Sequence, residues 1–214
     1  MNPAIPRLYA ILDRSLISGP ELDLAVRLAE AGVQLIQYRN KQASSRELFE
    51  RSAALARICD ARGVRFIVND RPDIALLAHA GGVHVGQKDL DVEEARAICG
   101  ASRWVGVSTH TLEQVAAADS TSADYIAFGP IFATATKQSP GAVVGTELLS
   151  RARQLTEKPL VAIGGITLTR AAEVFRAGAD SLAVAQDLIC ARDPAARAKQ
   201  FLDLPVPAAA ARGG

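Results

Sequence analysis

The stretch Tyr125-Ile126-Ala127-Phe128-Gly129-Pro130-Ile131-Phe132-Ala133-Thr134-Ala135-Thr136-Lys137 runs from an apolar segment typical of a buried strand into a loop rich in anion-binding groups. The pair Gly129-Pro130 ends the strand, because glycine permits unusual backbone angles and proline removes an amide donor. In the loop, Thr134 and Thr136 offer hydroxyl groups and Lys137 offers a compact positive charge. Each of these residues is also common in an ordinary polar turn, so their interpretation depends on the rest of the chain.

Short apolar runs of the same kind recur along the chain and predict eight strands. They lie at residues 8–12, 33–38, 66–68, 83–85, 104–107, 125–128, 160–163 and 181–185. Stretches of helical period separate them, and glycines at the helix ends predict left-handed C-caps before the next strand. These glycines are Gly32, Gly63, Gly82 and Gly178. The repeated unit is therefore a strand followed by a helix.

Two folds are built from such units, a closed (β/α)8 TIM barrel and an open doubly wound sheet. The barrel is favoured, because eight strands fit within 214 residues and no G-x-G-x-x-G pattern follows the first strand. We therefore predict an α/β protein with a single-domain barrel over residues 1–204. Residues 205–214 lack large apolar side chains and are predicted to form a flexible C-terminal tail.

The composition restricts the classes of function. Apolar residues make up 49% and charged residues 22%, so the chain can bury a sizeable core beneath a charged surface. The net charge is +1 without a long run of either sign, which gives no electrostatic footprint for nucleic acid or a membrane surface. The three separated cysteines, with no signal-peptide pattern and no apolar run of about 20 residues, lead us to expect a cytoplasmic protein.

In a barrel, the residues that follow the strands share one face, and function collects there. Candidate ligands follow six consecutive predicted strands. In chain order they are Gln37, Arg39 and Lys41, then Asn69 and Asp70, then Gln87 and Asp89, then Ser108, then the two threonines with Lys137, and finally Gly164-Gly165. The joints from helix to strand carry mainly Ala, Gly and solvated charges, which is typical of a face that serves stability.

The segment after the second strand is rich in hydrogen-bond donors. Alternation along an extended chain puts Gln37, Arg39 and Lys41 on one side and the intervening Tyr38 and Asn40 on the other. Placing Lys41 near Lys137, which follows the sixth strand, is costly unless an anion lies between the two charges. A diphosphate is such an anion. Arg39 has a second interpretation, as the internal ion-pair partner of a barrel carboxylate.

Asp70 and Asp89 predict a metal site. They follow neighbouring strands, and Mg²⁺ typically takes one or two protein carboxylates together with phosphate oxygens and water. Each also has a structural interpretation, Asp70 as a turn cap before Arg71-Pro72 and Asp89 as the N-cap of a helix near Val92. Two carboxylates in succession at neighbouring strand ends favour the metal.

Gly164-Gly165 precedes a helical stretch from about Thr169 and resembles the phosphate cradle that barrels form after strands seven and eight. It predicts a second phosphate site, with a plain tight turn as the alternative. His79, His84 and His110 are isolated in sequence, and His84 is interpreted as a core residue because it lies inside a strand. No residue is assigned as a nucleophile.

Taken together, these motifs resemble the thiamine phosphate synthase family from about residue 8 to residue 188. The resemblance is carried, in family order, by residues 37–41, 69–71, 82–87 with Asp89, 106–110, 129–137 and 162–166. It implies a β/α barrel that joins 4-amino-2-methyl-5-(diphosphooxymethyl)pyrimidine to a thiazole phosphate and releases pyrophosphate with Mg²⁺. It also implies a dissociative substitution in which positioning and electrostatics carry most of the rate and no protein base is required.

The resemblance implies a role for each matching position. The pyrimidine diphosphate would be held by Gln37, Tyr38, Arg39, Asn40, Lys41, Asn69, Ser108 and Lys137, of which Arg39, Lys41, Ser108 and Lys137 would be catalytic. The thiazole phosphate would be held by Thr134, Ala135, Thr136, Gly165, Ala185 and Gln186. Asp70 and Asp89 would bind Mg²⁺, and the partners implied are these small-molecule substrates.

The chain departs from the family pattern at two places. Ala133 stands where the family often has proline, and Ala185-Gln186 follows the eighth strand where the family usually has Val-Ser or Ile-Ser. The second change keeps the backbone donors but removes a small hydroxyl group.

Two other functions fit the same motifs less well. An isomerase built on this barrel needs a histidine after the sixth strand, and no histidine follows His110. A non-catalytic protein that senses a thiazole or sugar phosphate would not need two carboxylates and a second cationic cluster. The synthase interpretation uses all of these groups.

Overall fold

The computed structural model describes residues 5–134 and 142–205, which form a closed barrel of eight parallel strands. The strands are β1 (Leu8–Asp13), β2 (Leu35–Arg39), β3 (Arg65–Asn69), β4 (Gly82–Val85), β5 (Trp104–Thr109), β6 (Tyr125–Phe128), β7 (Leu160–Ile163) and β8 (Ser181–Val184). The helices are α1 (Glu21–Glu30), α2 (Ser45–Asp60), α3 (Pro72–Leu77), α4 (Val92–Cys99), α5 (Leu112–Asp119), α6 (Gly145–Arg153), α7 (Leu168–Arg176), α8 (Gln186–Ile189) and α9 (Pro194–Leu202). Each strand pairs with the next and β8 pairs with β1, so the predicted barrel is confirmed and the open sheet is wrong. Within the described ranges, no helix has the length and apolar character needed to cross a membrane.

Each strand divides its side chains between the barrel interior and the surrounding helices, because successive residues point to opposite faces. In β1, Leu8 and Leu12 pack in the large apolar core beneath the helices, whereas Tyr9 packs inside the barrel. The other interior residues include Ile11, Leu35, Ile67, Trp104, Tyr125, Ala127, Val161 and Ala183. The small side chains of Ala127 and Ala183 line a cavity at the carboxyl ends of the strands, so ligand space is left there.

Two glycines are required inside the barrel by close approach. A Cβ atom on Gly106 would lie 2.0 Å from Cζ of Tyr125, so this glycine makes room for the aromatic ring. A Cβ atom on Gly129 would lie 2.0 Å from the carbonyl oxygen of Ile163. The strand β6 therefore ends at a glycine because β7 approaches its backbone closely, and not because of an unusual backbone angle as the sequence suggested.

The predicted glycine C-caps are mostly confirmed. Three of the four have left-handed backbone angles, namely Gly32 (φ 99°), Gly63 (φ 66°) and Gly178 (φ 103°). Gly82 is the exception, because it is the first residue of β4 and a Cβ atom there would lie 2.3 Å from the carbonyl oxygen of Trp104. The left-handed residue after α3 is His79, with φ of 54°.

The face at the amino ends of the strands is organised by a repeated ion pair. Asp124 precedes β6, accepts a hydrogen bond from the Val105 amide at 2.7 Å and pairs with Arg96 at 2.6 Å. In the same way, Asp180 precedes β8, accepts from the Leu160 amide at 2.8 Å and pairs with Arg153 at 2.6 Å. Each pair ties a helix to two strands, which fits a stabilising role for this face.

Candidate active site

A cavity of about 390 Å³ opens at the carboxyl ends of the strands. Its apolar wall includes Ile11 of β1 and Val161 and Ile163 of β7. Eight of the residues to which the resemblance gives a ligand role lie in its lining. They are Gln37, Arg39, Asn69, Ser108, Thr134, Gly165, Ala185 and Gln186. Residues predicted for the pyrimidine and residues predicted for the thiazole thus share one cavity, although Lys41 is not in its lining.

Tyr38 and Asn40 are not in the lining of this cavity. Tyr38 is buried on the outer face of β2, where its hydroxyl accepts a hydrogen bond of 3.3 Å from Asn40, and burial raises its pKa. The Asn40 side-chain oxygen accepts from the amides of Gln42 and Ala43, both at 3.1 Å. The side chains of Tyr38 and Asn40 therefore shape the loop after β2 from outside, because alternation turns them away from the interior.

The second interpretation of Arg39, as the ion-pair partner of a barrel carboxylate, is confirmed. Its guanidinium forms an ion pair with Asp13 at the end of β1, and Asp13 is buried. Asp13 also accepts hydrogen bonds from the amide and hydroxyl of Ser15, at 3.0 and 2.6 Å. Both charged groups line the cavity, so the pair holds Arg39 in position at its wall. Sequence reasoning missed Asp13, whose only signal was a carboxylate at a strand end.

Lys41, Asp70 and Asp89 form a charged cluster at the ends of β2, β3 and β4. The ammonium group of Lys41 pairs with Asp70, and the Asp89 carboxylate lies beside that of Asp70. Burial raises the pKa of Asp70, and the neighbouring Asp89 raises it further while Lys41 lowers it. Asp89 also accepts a hydrogen bond of 2.8 Å from the Gly86 amide.

Neither carboxylate caps a helix, so the interpretation of Asp89 as the N-cap near Val92 is wrong. The N-cap of α3 is Arg71, and the N-cap of α4 is Asp91, which forms a capping box with Glu94. Two carboxylates lie side by side at the strand ends, with the Lys41 ammonium group next to them. Such a pair fits the oxygen ligands that Mg²⁺ prefers. In the part of the chain that the structure describes, no third His, Cys, Asp or Glu completes a metal-binding group.

The opposite side of the cavity is formed by glycine-rich backbone. Gly164 and Gly165 have left-handed angles of 101° and 61°, and a Cβ atom on Gly165 would lie 2.4 Å from the carbonyl oxygen of Ala133. The Phe132 amide donates to the Gly164 carbonyl at 3.0 Å, which ties the β6 loop to the β7 loop. A side chain larger than hydrogen at Gly165 would push these loops apart.

Sequence reasoning missed two charged residues on that side. The Arg170 guanidinium lies 4.5 Å from the centre of the Phe132 ring and lines the cavity. Asp187 also lines the cavity, pairs with Arg197 at 3.1 Å and accepts from the Leu168 amide at 3.2 Å. Their signal was weak, because both lie on helices, one turn or less beyond the loops that carry the motifs.

Ala135, Thr136 and Lys137 lie outside the described residues. Thr134 is the last described residue of the loop after β6, and it lines the cavity. The predicted roles of the three residues that follow it stay predictions.

A chain of buried hydrogen bonds crosses the barrel, and all of its members except Tyr125 line the cavity. Gln37 Nε2 donates to the Tyr9 hydroxyl at 2.6 Å, and the Tyr9 and Tyr125 hydroxyls are 2.9 Å apart. The Tyr125 hydroxyl lies 3.1 Å from His84 Nδ1, and His84 Nε2 lies 2.8 Å from Ser108 Oγ. His84 is a core residue as predicted, but it also lines the cavity. In the sequence, Tyr9 and Tyr125 are recognisable only as residues of apolar strand segments.

Comparison with known proteins gives one consistent result. A family model described as thiamine monophosphate synthase matches residues 8–188. A thiamine-phosphate synthase of Koribacter versatilis is 48% identical over 206 residues, which cover 94% of this chain and 96% of that protein. One of Methanospirillum hungatei is 40% identical, over 92% of this chain and 96% of that protein. The solved structure of a thiamine phosphate pyrophosphorylase from Pyrococcus furiosus aligns with a TM-score of 0.83 at 33% identity, over 92% and 93% of the two chains.

Proposed function

The chain belongs to the thiamine monophosphate synthase family and is a transferase that forms thiamine phosphate, and from this we propose how its residues divide the work. The observation that carries the assignment is the shared cavity, which has polar and charged groups at two separate places around an apolar wall. One place is suited to the pyrimidine diphosphate and the other to the thiazole phosphate.

At the first place, Gln37, Asn69 and Ser108 would bind the pyrimidine and its diphosphate, with Arg39 beside them. The ion pair with Asp13 supports this role, since it fixes the guanidinium at the cavity wall before a ligand arrives. A group that is already in position loses less conformational freedom on binding. Lys41 and Lys137 would add positive charge around the departing pyrophosphate.

At the second place, Thr134, Gly165 and Gln186 would bind the thiazole phosphate. The left-handed backbone of Gly164-Gly165 and the backbone at the start of α8 supply amide groups near the cavity, and amides of this kind bind phosphate well. Arg170 adds a cation on the same side of the cavity.

The reaction proposed is a dissociative substitution. The bond between the pyrimidine methylene carbon and the diphosphate oxygen breaks first, and the electron-rich aminopyrimidine stabilises the resulting cation. The thiazole nitrogen then forms the new carbon–nitrogen bond. The residues of the chain hold both substrates in line, exclude water and neutralise charge on pyrophosphate, and each such electrostatic contact contributes about 3 kcal/mol.

The cluster at the strand ends fits Mg²⁺. Asp70 and Asp89 would hold the ion, which when bound neutralises diphosphate charge. The fit rests on the mutual repulsion of these two carboxylates, which a divalent cation relieves. Lys41, now paired with Asp70, would then be released to contact the substrate.

We place this reaction in the cytoplasm. Cys59, Cys99 and Cys190 are free thiols, and free thiols are typical of a reducing compartment.

The direct test is to incubate the protein with both substrates, with and without EDTA, and to follow thiamine phosphate and pyrophosphate. We expect equimolar formation of the two products, abolished by EDTA and restored by Mg²⁺. Full turnover in excess EDTA would overturn the metal assignment, and product formation without pyrophosphate release would overturn the mechanism.

A further inference from the structure

The buried hydrogen-bond chain from Gln37 to Ser108 has a direction. Its members are at most 6% exposed, and successive members are joined by contacts of 2.6–3.1 Å. Burial raises the pKa of both Tyr9 and Tyr125, so each hydroxyl keeps its single proton. A hydroxyl with one proton donates to one neighbour in the chain and accepts from the other. A neutral chain of this kind therefore has only two arrangements, which are opposite in direction.

The Gln37 amide selects one of them. Gln37 Nε2 donates to Tyr9, so the Tyr9 proton points to Tyr125 and the Tyr125 proton points to His84 Nδ1. His84 is then protonated at Nε2 and donates to Ser108 Oγ. The chain thus sets the tautomer of one imidazole and the orientation of one serine hydroxyl.

Both ends of the chain line the cavity, as do Tyr9 and His84 between them. At one end, Gln37 uses an N–H bond internally, and its carbonyl oxygen is left as an acceptor. At the other end, Ser108 Oγ accepts from His84, and its own proton is left to donate. The cavity therefore offers an acceptor at Gln37 and a donor at Ser108, and reversing the chain would exchange these two characters.

We propose that this chain determines specificity for a 4-aminopyrimidine over its 4-oxo counterpart, an inference that rests on the proposed function of the cavity. An exocyclic amino group donates and therefore matches the Gln37 carbonyl, while a ring nitrogen or diphosphate oxygen accepts from Ser108. A 4-oxo group presents an acceptor where the site also presents an acceptor. To bind it, every hydrogen bond of the chain must reverse its direction. If one member turned alone, two protons or two lone pairs would face each other. Tyr9, Tyr125 and His84 act as positioning residues.

The test compares turnover of the 4-amino and 4-oxo pyrimidine diphosphates by wild type and Tyr125→Phe. Phenylalanine interrupts the chain, so Gln37 and Ser108 can turn independently. We expect the ratio of kcat/KM for amino over oxo substrate to fall at least about tenfold, whatever the loss in absolute rate. An unchanged ratio with an equal loss on both substrates would overturn the proposal. Absence of turnover by wild type would instead contradict the proposed function.

The matched control is Thr109→Val. Thr109 follows Ser108 in β5, is fully buried and donates to the Ala127 carbonyl at 3.0 Å, but it is not in the lining of the cavity. This variant removes a buried hydrogen bond from the same strand, and we expect its amino-to-oxo ratio to equal that of wild type.

A second measurement does not depend on activity. Nitrogen-15 NMR of the histidine rings in the ligand-free protein should show His84 protonated at Nε2 and unprotonated at Nδ1. Assignment of the resonances uses His84→Gln. Protonation at Nδ1 alone would reverse the chain and overturn the proposal.

Discussion

Asp70 is held where a carboxylate is costly. Its backbone is left-handed, with φ of 63°, and burial together with Asp89 raises its pKa while Lys41 offsets part of this effect. Strain and like-charge repulsion of this kind persist only where the surrounding structure enforces them, and they are concentrated at functional sites. A metal ion that replaces Lys41 as the partner would remove the repulsion.

Asp70→Asn should raise the Mg²⁺ concentration for half-maximal activity at least about tenfold and lower turnover, because one of two proposed anionic ligands is lost. Unfolding by urea should change little, since the substitution also relieves repulsion. The control is Asp73→Asn, because Asp73 pairs with Arg71 instead and its pKa is lowered by that contact. Equal magnesium dependence in Asp70→Asn and wild type would show that the ion lies elsewhere.

Gln186 is exposed at the rim of the cavity, at the first position of α8. To contact a phosphate it must order a long side chain, which costs up to about 2 kcal/mol of rotamer freedom. Gln186→Ser should therefore lower KM for the thiazole phosphate by at most about tenfold and leave kcat nearly unchanged. Steady-state kinetics with the thiazole phosphate varied would check this. Loss of turnover would instead identify Gln186 as a required ligand.

At the scale of secondary-structure elements, the packing of β5 against β6 depends on Gly106 and the ring of Tyr125. Tyr125 cannot move aside to accept a methyl group at Gly106, because its hydroxyl is held by Tyr9 and His84. Overpacking of this kind usually costs about 1–3 kcal/mol. Here a Cβ atom would lie only 2.0 Å from the ring, which leaves little room for relaxation.

Gly106→Ala should therefore lower the free energy of unfolding by about 3 kcal/mol or prevent folding. The control is Gly19→Ala, since a Cβ atom at Gly19 would have no neighbour within 4 Å. Its free energy of unfolding should stay within about 0.5 kcal/mol of wild type. Urea unfolding of both variants provides the comparison, and equal stability of the two would contradict the packing argument.

For the whole molecule, buried acids predict the response to pH. Burial raises the pKa of the Cys59 thiol to about 12, and it also raises the pKa of Tyr9 and Tyr125. In the unfolded chain a thiol ionises at about pH 8.5 and a tyrosine at about pH 10. The unfolded state therefore loses protons first as pH rises, so the stability contributed by these neutral groups is complete below about pH 8.5 and declines above it.

The free energy of unfolding should thus be lower at pH 10 than at pH 8. Cys59 alone should contribute about 2 kcal/mol of this difference by linkage. Urea titrations at both pH values, repeated on Cys59→Ala, would measure the effect, and the variant should show the smaller pH difference. Equal pH differences in the two proteins would contradict the contribution of Cys59.

The sequence by itself determined the eight strands, their order and the end of the barrel at which the cavity opens. These features follow from local rules, because a buried parallel strand needs a short apolar run and a helix needs apolar residues at its own period. Once the strands are parallel and consecutive, the residues after them must share one face. The common location of Gln37, Asn69, Ser108 and Gly165 in one cavity therefore follows from topology.

The tertiary structure alone decided which side chains are partners. The pairs Arg39 with Asp13 and Lys41 with Asp70 join residues 26 and 29 positions apart, and Tyr9 meets Tyr125 across 116 positions. Such contacts depend on the register between strands and on the direction of each side chain, neither of which leaves a periodic signal in the chain. For this reason the sequence could place Asp70 at a strand end, but only the folded barrel could place Asp89 beside it.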